Sequence, residues 1–129
     1  IYGFDGRNEP DASLACLDAS NGKLKWRTTL EWTERIERNG EVGNEPMSLF
    51  RGSLLRAGNK YLALGEFGHL CWLDLSPAGC KELARARLFA ARETWSLPVL
   101  SRGLLYVVQH TRDFLHNTGP RLLCYSLRG

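Results

Sequence analysis

Short apolar runs bounded by turn residues recur along the whole chain. Strand-like runs at 1–6, 60–67 and 104–110 are each followed by a second apolar run. These second runs are LACLD at 14–18, LCWLD at 70–74 and LLCYS at 122–126. Their content of Leu, Cys, Tyr and Trp, with turn residues between them, predicts β-strands.

A hairpin pattern is also repeated. The segment 53–58, followed by Tyr61, aligns with 98–103, followed by Tyr106, at a spacing of 45 residues. Each unit therefore runs strand, Gly turn, strand, loop, strand, Gly turn, strand, over about 45 to 55 residues. Four strands in a repeat of this length are typical of a propeller blade, and such a sheet cannot bury both of its faces alone.

The predicted fold is all-β: a partial β-propeller made of four-stranded antiparallel sheets. It occupies residues 1–129, and the first unit lacks its opening strand while the third lacks its last. Long loops at 7–12 and 111–120 are expected on one rim, where propellers bind ligands. The blades are placed at about 1–29, 50–90 and 95–129, with an insertion at about 31–45.

Two segments do not follow the strand pattern. In the insertion, Trp32 and Ile36 stand at i and i+4, which predicts one or two helical turns before Asn39-Gly40. Residues 82–93 have helix-forming composition, but their place in the repeat favours a strand.

Composition indicates a globular chain of one ordinary domain, with 43% hydrophobic and 24% charged residues among 129. A net charge of +3 is small for a nucleic-acid-binding protein. The apolar runs are too short to span a membrane. No charged segment is followed by an apolar one near Ile1, so we expect no signal peptide within this sequence. Because the sequence opens at Ile1 within a strand-like run, we expect it to be cut from a longer protein.

The residues that carry chemistry show no catalytic or metal-binding pattern. His69, His110 and His116 have no partner at a metal-binding spacing, so we expect them to be solvated or bonded to turns. No serine lies in a G-x-S-x-G elbow, and no Gly-rich phosphate loop is present. No catalytic, cofactor or metal residue is predicted.

The four cysteines have no C-x-x-C spacing. We expect them to be buried free thiols, with one disulfide as the alternative. The set comprises Cys16, Cys71, Cys80 and Cys124.

The segment 14–26, LACLDASNGKLKW, resembles the tryptophan-docking motif of pyrroloquinoline-quinone-like (PQQ-like) β-propellers, A-x-D-x-x-T-G-x-x-x-W. Asp18, Gly22 and Trp26 match the motif, while Cys16 replaces the Ala and Asn21 the Thr. We expect Asp18 to accept hydrogen bonds from turn amides and Gly22 to adopt a positive φ. Trp26 is expected to lie across the seam between two blades.

Weaker copies of the motif follow. The second unit keeps Asp74 and Gly79 but has Leu83 in place of the Trp. The stretch that contains Trp95 and Pro98 looks like the closing blade of such proteins.

The resemblance implies a non-catalytic binding or scaffold module, part of a larger exported bacterial protein in the periplasm or at the cell surface. Its implied partners are the remaining propeller blades or a second copy of the chain, and a protein or peptide ligand at the rim. No cofactor is implied in this chain. One alternative is the C-terminal portion of a quinoprotein dehydrogenase, which would require PQQ with calcium, although the adjacent cysteines of those enzymes are missing. The other alternative is an outer-membrane assembly propeller, which docks peptides by strand addition.

Overall fold

A computed structural model describes residues 1–6 and 12–128 of the chain. Within these residues all regular structure is β, which confirms the predicted all-β class. The strands are β1 (Tyr2–Asp5), β2 (Ser13–Leu17), β3 (Leu24–Thr28), β4 (Glu31–Arg38), β5 (Glu41–Ser48), β6 (Gly52–Ala57), β7 (Lys60–Gly65), β8 (His69–Ser76), β9 (Gly79–Arg87), β10 (Val99–Ser101), β11 (Leu104–Gln109) and β12 (Arg121–Ser126).

The strands form three antiparallel sheets and one separate hairpin. We call β1-β2-β3 the first sheet, β6-β7-β8-β9 the middle sheet and β10-β11-β12 the third sheet. Strands β4 and β5 form the hairpin. In all three sheets, strands that are consecutive in the sequence are neighbours in space.

The first and middle sheets share an irregularity that follows the sequence repeat. The register shifts between Cys16 and Leu17 of β2, where Lys25 of β3 has no partner in the pairing, and between Trp72 and Leu73 of β8, where Leu83 of β9 has none. Both fall between the third and fourth residues of the repeated segments LACLD and LCWLD. The repeat therefore extends to the backbone geometry of these strands.

The middle sheet is covered on both faces. Because side chains alternate along a strand, Ala63 points to one face while Leu62 and Leu64 point to the other. On the first face, Ala63, Cys71 and Leu73 pack with residues of the first sheet. On the second face, Leu62 and Leu64 pack against residues of the third sheet. The apolar run YLAL in β7 thus results from burial on both sides.

A tryptophan fastens the first sheet to the middle one. The Trp26 Nε1–H donates to the backbone oxygen of Ser76, the last residue of β8, at 2.8 Å. The Tyr2 ring lies between Trp26 and Tyr61, with centroid distances of 6.0 and 5.3 Å. This seam therefore combines aromatic packing with a directional hydrogen bond.

The hairpin alignment in the repeat is wrong by one residue. Tyr61 pairs with Leu73, the fourth residue of LCWLD, and Leu105 pairs with Tyr125, the fourth residue of LLCYS. The residue equivalent to Tyr61 is therefore Leu105 and not Tyr106. The reason is the position of the glycine. Gly58 is the first residue of its two-residue turn, whereas Gly103 is the second of its own. Since a shift of one residue exchanges the two faces, Tyr106 lies on the outward face of the third sheet.

The helical turns predicted within 31–45 are also wrong. The segment forms the β4–β5 hairpin, and Asn39-Gly40 is its turn, with φ of 54° and 82°. Trp32 and Ile36 are half-buried, while the odd-numbered residues between them are exposed. A spacing of four is compatible with both periods, so the sequence could not distinguish a helix from a strand here. The strand expected at 82–93 is present up to Arg87.

We predict that Trp26→Phe lowers the free energy of unfolding by about 1 to 2 kcal/mol, because the ring area is largely kept but the bond to Ser76 is lost. Urea denaturation measures the change. The matched control is Trp95→Phe, at a half-exposed indole outside both apolar clusters. Equal effects of the two substitutions would show that the Trp26 bond contributes nothing.

Candidate functional site

Four loops meet at one end of the stacked sheets, and we call this end the rim. Backbone hydrogen bonds join them: Glu66 N–H to Arg51 O (2.8 Å), Leu88 N–H to Gly68 O (3.0 Å) and Phe114 N–H to Ala90 O (2.8 Å). The rim loops are 49–51, 66–68, 88–98 and 110–120. The long loop predicted at 111–120 lies here, whereas most of the loop predicted at 7–12 lies outside the described residues.

A buried carboxylate holds two rim loops together. Asp113 Oδ2 accepts the amide N–H of Ala90 at 2.9 Å, and its Oδ1 accepts those of Leu115 and His116 at 2.8 Å each. Burial opposes the charged form, yet these bonds bring the pKa of Asp113 down to about 2. The sequence offered no signal for this anchor, because Asp113 looks like any polar loop residue.

A second buried carboxylate of the rim belongs to Glu66. Arg51 donates to Glu66 through Nε (3.0 Å) and Nη2 (2.7 Å), a two-point contact. The guanidinium also lies over the exposed Trp95 ring, 4.7 Å from its centroid. Trp95, predicted from the resemblance, thus lies on the rim. Pro98 is fully buried just before β10.

The hairpin is fastened to the middle sheet by a histidine. His69 Nε2–H donates to Glu34 at 2.7 Å, and Arg87 approaches the same carboxylate at 3.3 Å. The Trp32 ring contacts His69 edge-on and lies under the Arg85 guanidinium, 3.8 Å from its centroid. We expected His69 to be solvated or turn-bonded. This is wrong, because the hairpin buries it to 3% exposure.

An open groove of about 1030 Å³ lies between the hairpin and the rim. Its walls combine aromatic, acidic and basic side chains, and the Arg38 guanidinium lies 5.5 Å from the Phe114 centroid. The aromatic residues are Phe50, Phe67 and Phe114; the basic ones are Arg38, Arg92 and Arg112; the acidic ones are Glu41, Glu45 and Glu93. Such a surface offers apolar contacts together with ion pairs of both signs.

The motif residues of the first unit lie at the opposite end from the rim. Asp18 Oδ1 accepts the Ser20 backbone N–H (2.9 Å) and hydroxyl (2.6 Å), as the sequence predicts. These bonds and an ion pair with Lys25 at 3.0 Å lower the pKa of Asp18. Gly22 has a φ of 71°, also as expected. With Trp26 at the seam, this group positions the turn between β2 and β3.

The second unit does not repeat that turn. Asp74, which the alignment equates with Asp18, lies inside β8 and forms an ion pair with Lys60 at 2.6 Å, so it does not fix a turn as Asp18 does. Instead, Ser76 Oγ accepts the Ala78 N–H at 3.2 Å. Gly79 begins β9 without a positive φ. The alignment of Leu83 with the motif Trp is wrong, because Ala84 lies opposite Trp72 as Trp26 lies opposite Cys16. Leu83 itself is 41% exposed.

The cysteines are free thiols, and they differ in burial. Cys16 and Cys71 are buried, Cys80 is intermediate, and Cys124 is exposed, so the expectation of four buried thiols is wrong for Cys124. Burial raises the pKa of Cys71 to about 12. Among residues 1–6 and 12–128, no three His, Cys, Asp or Glu side chains lie close enough to hold a metal ion. The same residues contain no helix that could cross a membrane.

Comparison with models of protein families, with curated proteins and with solved structures finds no match to this chain.

We predict that His69 makes stability depend on pH. Burial lowers the pKa of His69 below the ordinary 6.5, and the bond to Glu34 offsets this only in part. The unfolded chain therefore binds a proton at a higher pH than the folded chain. Stability is full above 6.5 and is lost as pH falls toward the folded pKa.

Denaturation at about pH 7.5 and about pH 5.5, on either side of the ordinary histidine value, measures this effect. His69→Gln keeps a donor toward Glu34 but cannot titrate, so we expect its loss of stability between the two pH values to be smaller. His110→Gln, at a histidine bonded to Ser96, is the control. An unchanged pH dependence in His69→Gln would rule out the titration of His69 as its source.

Proposed function

We propose that the chain supplies blades of a PQQ-like β-propeller and acts as a non-catalytic binding module within an exported bacterial protein, in the periplasm or at the cell surface. Its ligand is a peptide segment of a partner protein, held in the groove between the hairpin and the rim. The groove is the observation that carries this proposal.

The stacking of the sheets supports the blade interpretation. Propeller blades are four-stranded antiparallel sheets that press both faces against neighbours, and the middle sheet does so in two separate apolar clusters. The Trp26 indole bridges the seam at the place that the tryptophan-docking motif implies. The long loops lie at the opposite end, on the rim.

The form and chemistry of the groove support a peptide as its ligand. The groove has a volume of about 1030 Å³, and both strands of the hairpin line it, from Ile36 to Met47. Phe50, Phe67 and Phe114 offer apolar contacts, and charged side chains of both signs surround them. An extended peptide with a large apolar side chain between charged residues complements this lining.

The contacts of the buried polar residues support a non-catalytic role. Glu66 is held by Arg51, Asp113 by three backbone amides, and His69 by Glu34. Each of these groups therefore has a structural task in the rim or the hairpin. The dehydrogenase and outer-membrane assembly alternatives stay predictions of the sequence, because no contact among residues 1–6 and 12–128 favours either one.

Peptide selection tests the proposal. Short random peptides displayed on phage are selected on the immobilised chain, and a fluorescent copy of the strongest is measured by anisotropy. We expect Val42→Asp, at a half-exposed groove residue, to weaken binding at least about tenfold, which corresponds to about 1.4 kcal/mol. Phe114→Ala is expected to act in the same direction, since it removes an aromatic wall.

The matched control is Leu83→Asp, which introduces the same charge at a similarly exposed position on β9, outside the groove. It should leave the affinity unchanged. Failure to select any peptide, or equal binding by the groove variants and the control, would contradict a peptide site in this groove.

A further inference from the structure

We propose that the ligand of the groove binds as a third strand on the outer edge of β5, and that it is a basic segment with an apolar residue at its centre. The inference rests on the proposed peptide site and adds to it the mode of pairing and the charge of the ligand. The edge belongs to the hairpin and to none of the three stacked sheets, so the inference does not depend on the blade interpretation.

The residues that line the groove show that it runs along the edge of β5. A surface that meets only one face of a strand contacts every second residue, because side chains alternate. Strand β4 follows this rule, since it lines the groove through Ile36 and Arg38. Both faces of β5 contribute, and the groove therefore meets the edge of this strand. The lining residues of β5 are Glu41, Val42, Gly43, Glu45, Pro46 and Met47.

Backbone groups at this edge have no partner. The turn at Asn39-Gly40 has a positive φ at both residues, and in such a turn the Glu41 N–H donates to Arg38 O. Hydrogen-bonded and non-hydrogen-bonded pairs alternate from there, so Val42 and Asn44 direct their N–H and C=O groups away from β4. Within the described part of the chain, no strand pairs with this edge, and no other backbone bond involves Val42 or Asn44.

The position of Pro46 agrees with this assignment. Pro46 pairs with Thr33, two residues along β5 from Asn44, so its nitrogen also faces away from β4. A proline is tolerated at such a position because its missing N–H does not interrupt the existing ladder. The edge keeps donors at Val42 and Asn44 and acceptors at all three outward positions. An extended peptide can therefore pair with it through main-chain hydrogen bonds.

The charges of the groove favour a basic ligand. Glu41 and Glu45 lie on one face of β5, and among residues 1–6 and 12–128 neither takes part in an ion pair. Two of the arginines that line the groove already have partners, one an aromatic ring and the other a side-chain amide: Arg38 with Phe114 and Arg112 with Asn117. The charge without a partner along β5 is therefore acidic.

The side chains of β5 also indicate the order of residues in the ligand. On a strand added to β5, the residues beside Glu41, Gly43 and Glu45 are two apart and share one face. Basic residues complement the two carboxylates. A Cβ on Gly43 would meet only Glu45 Oε1, at 3.5 Å, which leaves room for a large apolar side chain. The paired rings of Phe50 and Phe67, 4.9 Å apart, also line the groove. The expected pattern is basic, any, apolar, any, basic.

Amide hydrogen exchange, followed by NMR, tests the pairing directly. The probe is the synthetic peptide Thr-Lys-Thr-Phe-Thr-Lys-Thr, which has the expected pattern and favours strands. We expect saturating peptide to slow exchange of the Val42 and Asn44 amides about fivefold or more, since each gains a hydrogen bond. The amides of Glu37 and Arg35, their partners on β4, face the other edge of the hairpin and should be unchanged.

Proline substitution tests the contribution of a backbone donor. The Asn44 side chain does not line the groove, so Asn44→Pro removes a donor at the edge without changing the lining. We expect it to weaken binding of the peptide about fivefold. Arg35→Pro, at the paired position on the other edge, is the matched control and should not change the affinity. Circular dichroism verifies both folds, and the exchange measurement on the unchanged chain does not depend on either variant.

A peptide of opposite charge tests the ligand class. Thr-Glu-Thr-Phe-Thr-Glu-Thr places carboxylates beside Glu41 and Glu45, and we expect it to bind at least about tenfold more weakly than the lysine peptide.

Three results would overturn the proposal: equal binding of the two peptides, binding without slower exchange at Val42 and Asn44, or no binding of the lysine peptide. The groove as a peptide site has its own test in peptide selection with Val42→Asp and Phe114→Ala. It fails together with the strand pairing only if that selection also yields no peptide.

Discussion

The structure depends on the burial of both apolar faces of the middle sheet. Strand β7 shows the constraint most directly, because Ala63 and Leu64 are neighbours in the chain and each is fully buried against a different sheet. No single sheet can satisfy both residues, so stability comes from the two interfaces. The free energy gained there scales with the apolar area removed from water.

Stacking also divides the molecule into two ends with different tasks. At one end, short turns hold the seam, with Asp18 fixing its turn and Trp26 reaching the Ser76 carbonyl. At the other end, longer loops are joined to one another by Asp113 and by backbone bonds. The rim loops also contribute to the apolar interfaces, since Leu49 belongs to the first cluster and Phe89 and Ala91 belong to the second. The groove lies where the exposed parts of these loops face the hairpin.

Local sequence patterns predicted local structure well. They failed where the environment of a residue depends on a partner that is distant in the sequence. The strands and the Asp18 turn were predictable because alternation and short-range bonding determine them. The burial of His69 was not, since its partner Glu34 is 35 residues away in the chain. The alignment of Tyr61 with Tyr106 failed because it matched residue types and did not take into account that Gly58 and Gly103 occupy different positions in their turns. Only the pairing of whole strands shows which face a side chain occupies.

The hairpin connects the buried interfaces to the groove. Its inner side is fixed by Trp32 and Glu34 to the middle sheet, while Val42 and Met47 of its second strand line the groove. The position of one groove wall therefore depends on a buried contact between a carboxylate and an imidazole. Because two paired strands alone are only marginally stable in water, the hairpin owes its fixed position to that contact and to the aromatic side chains around it.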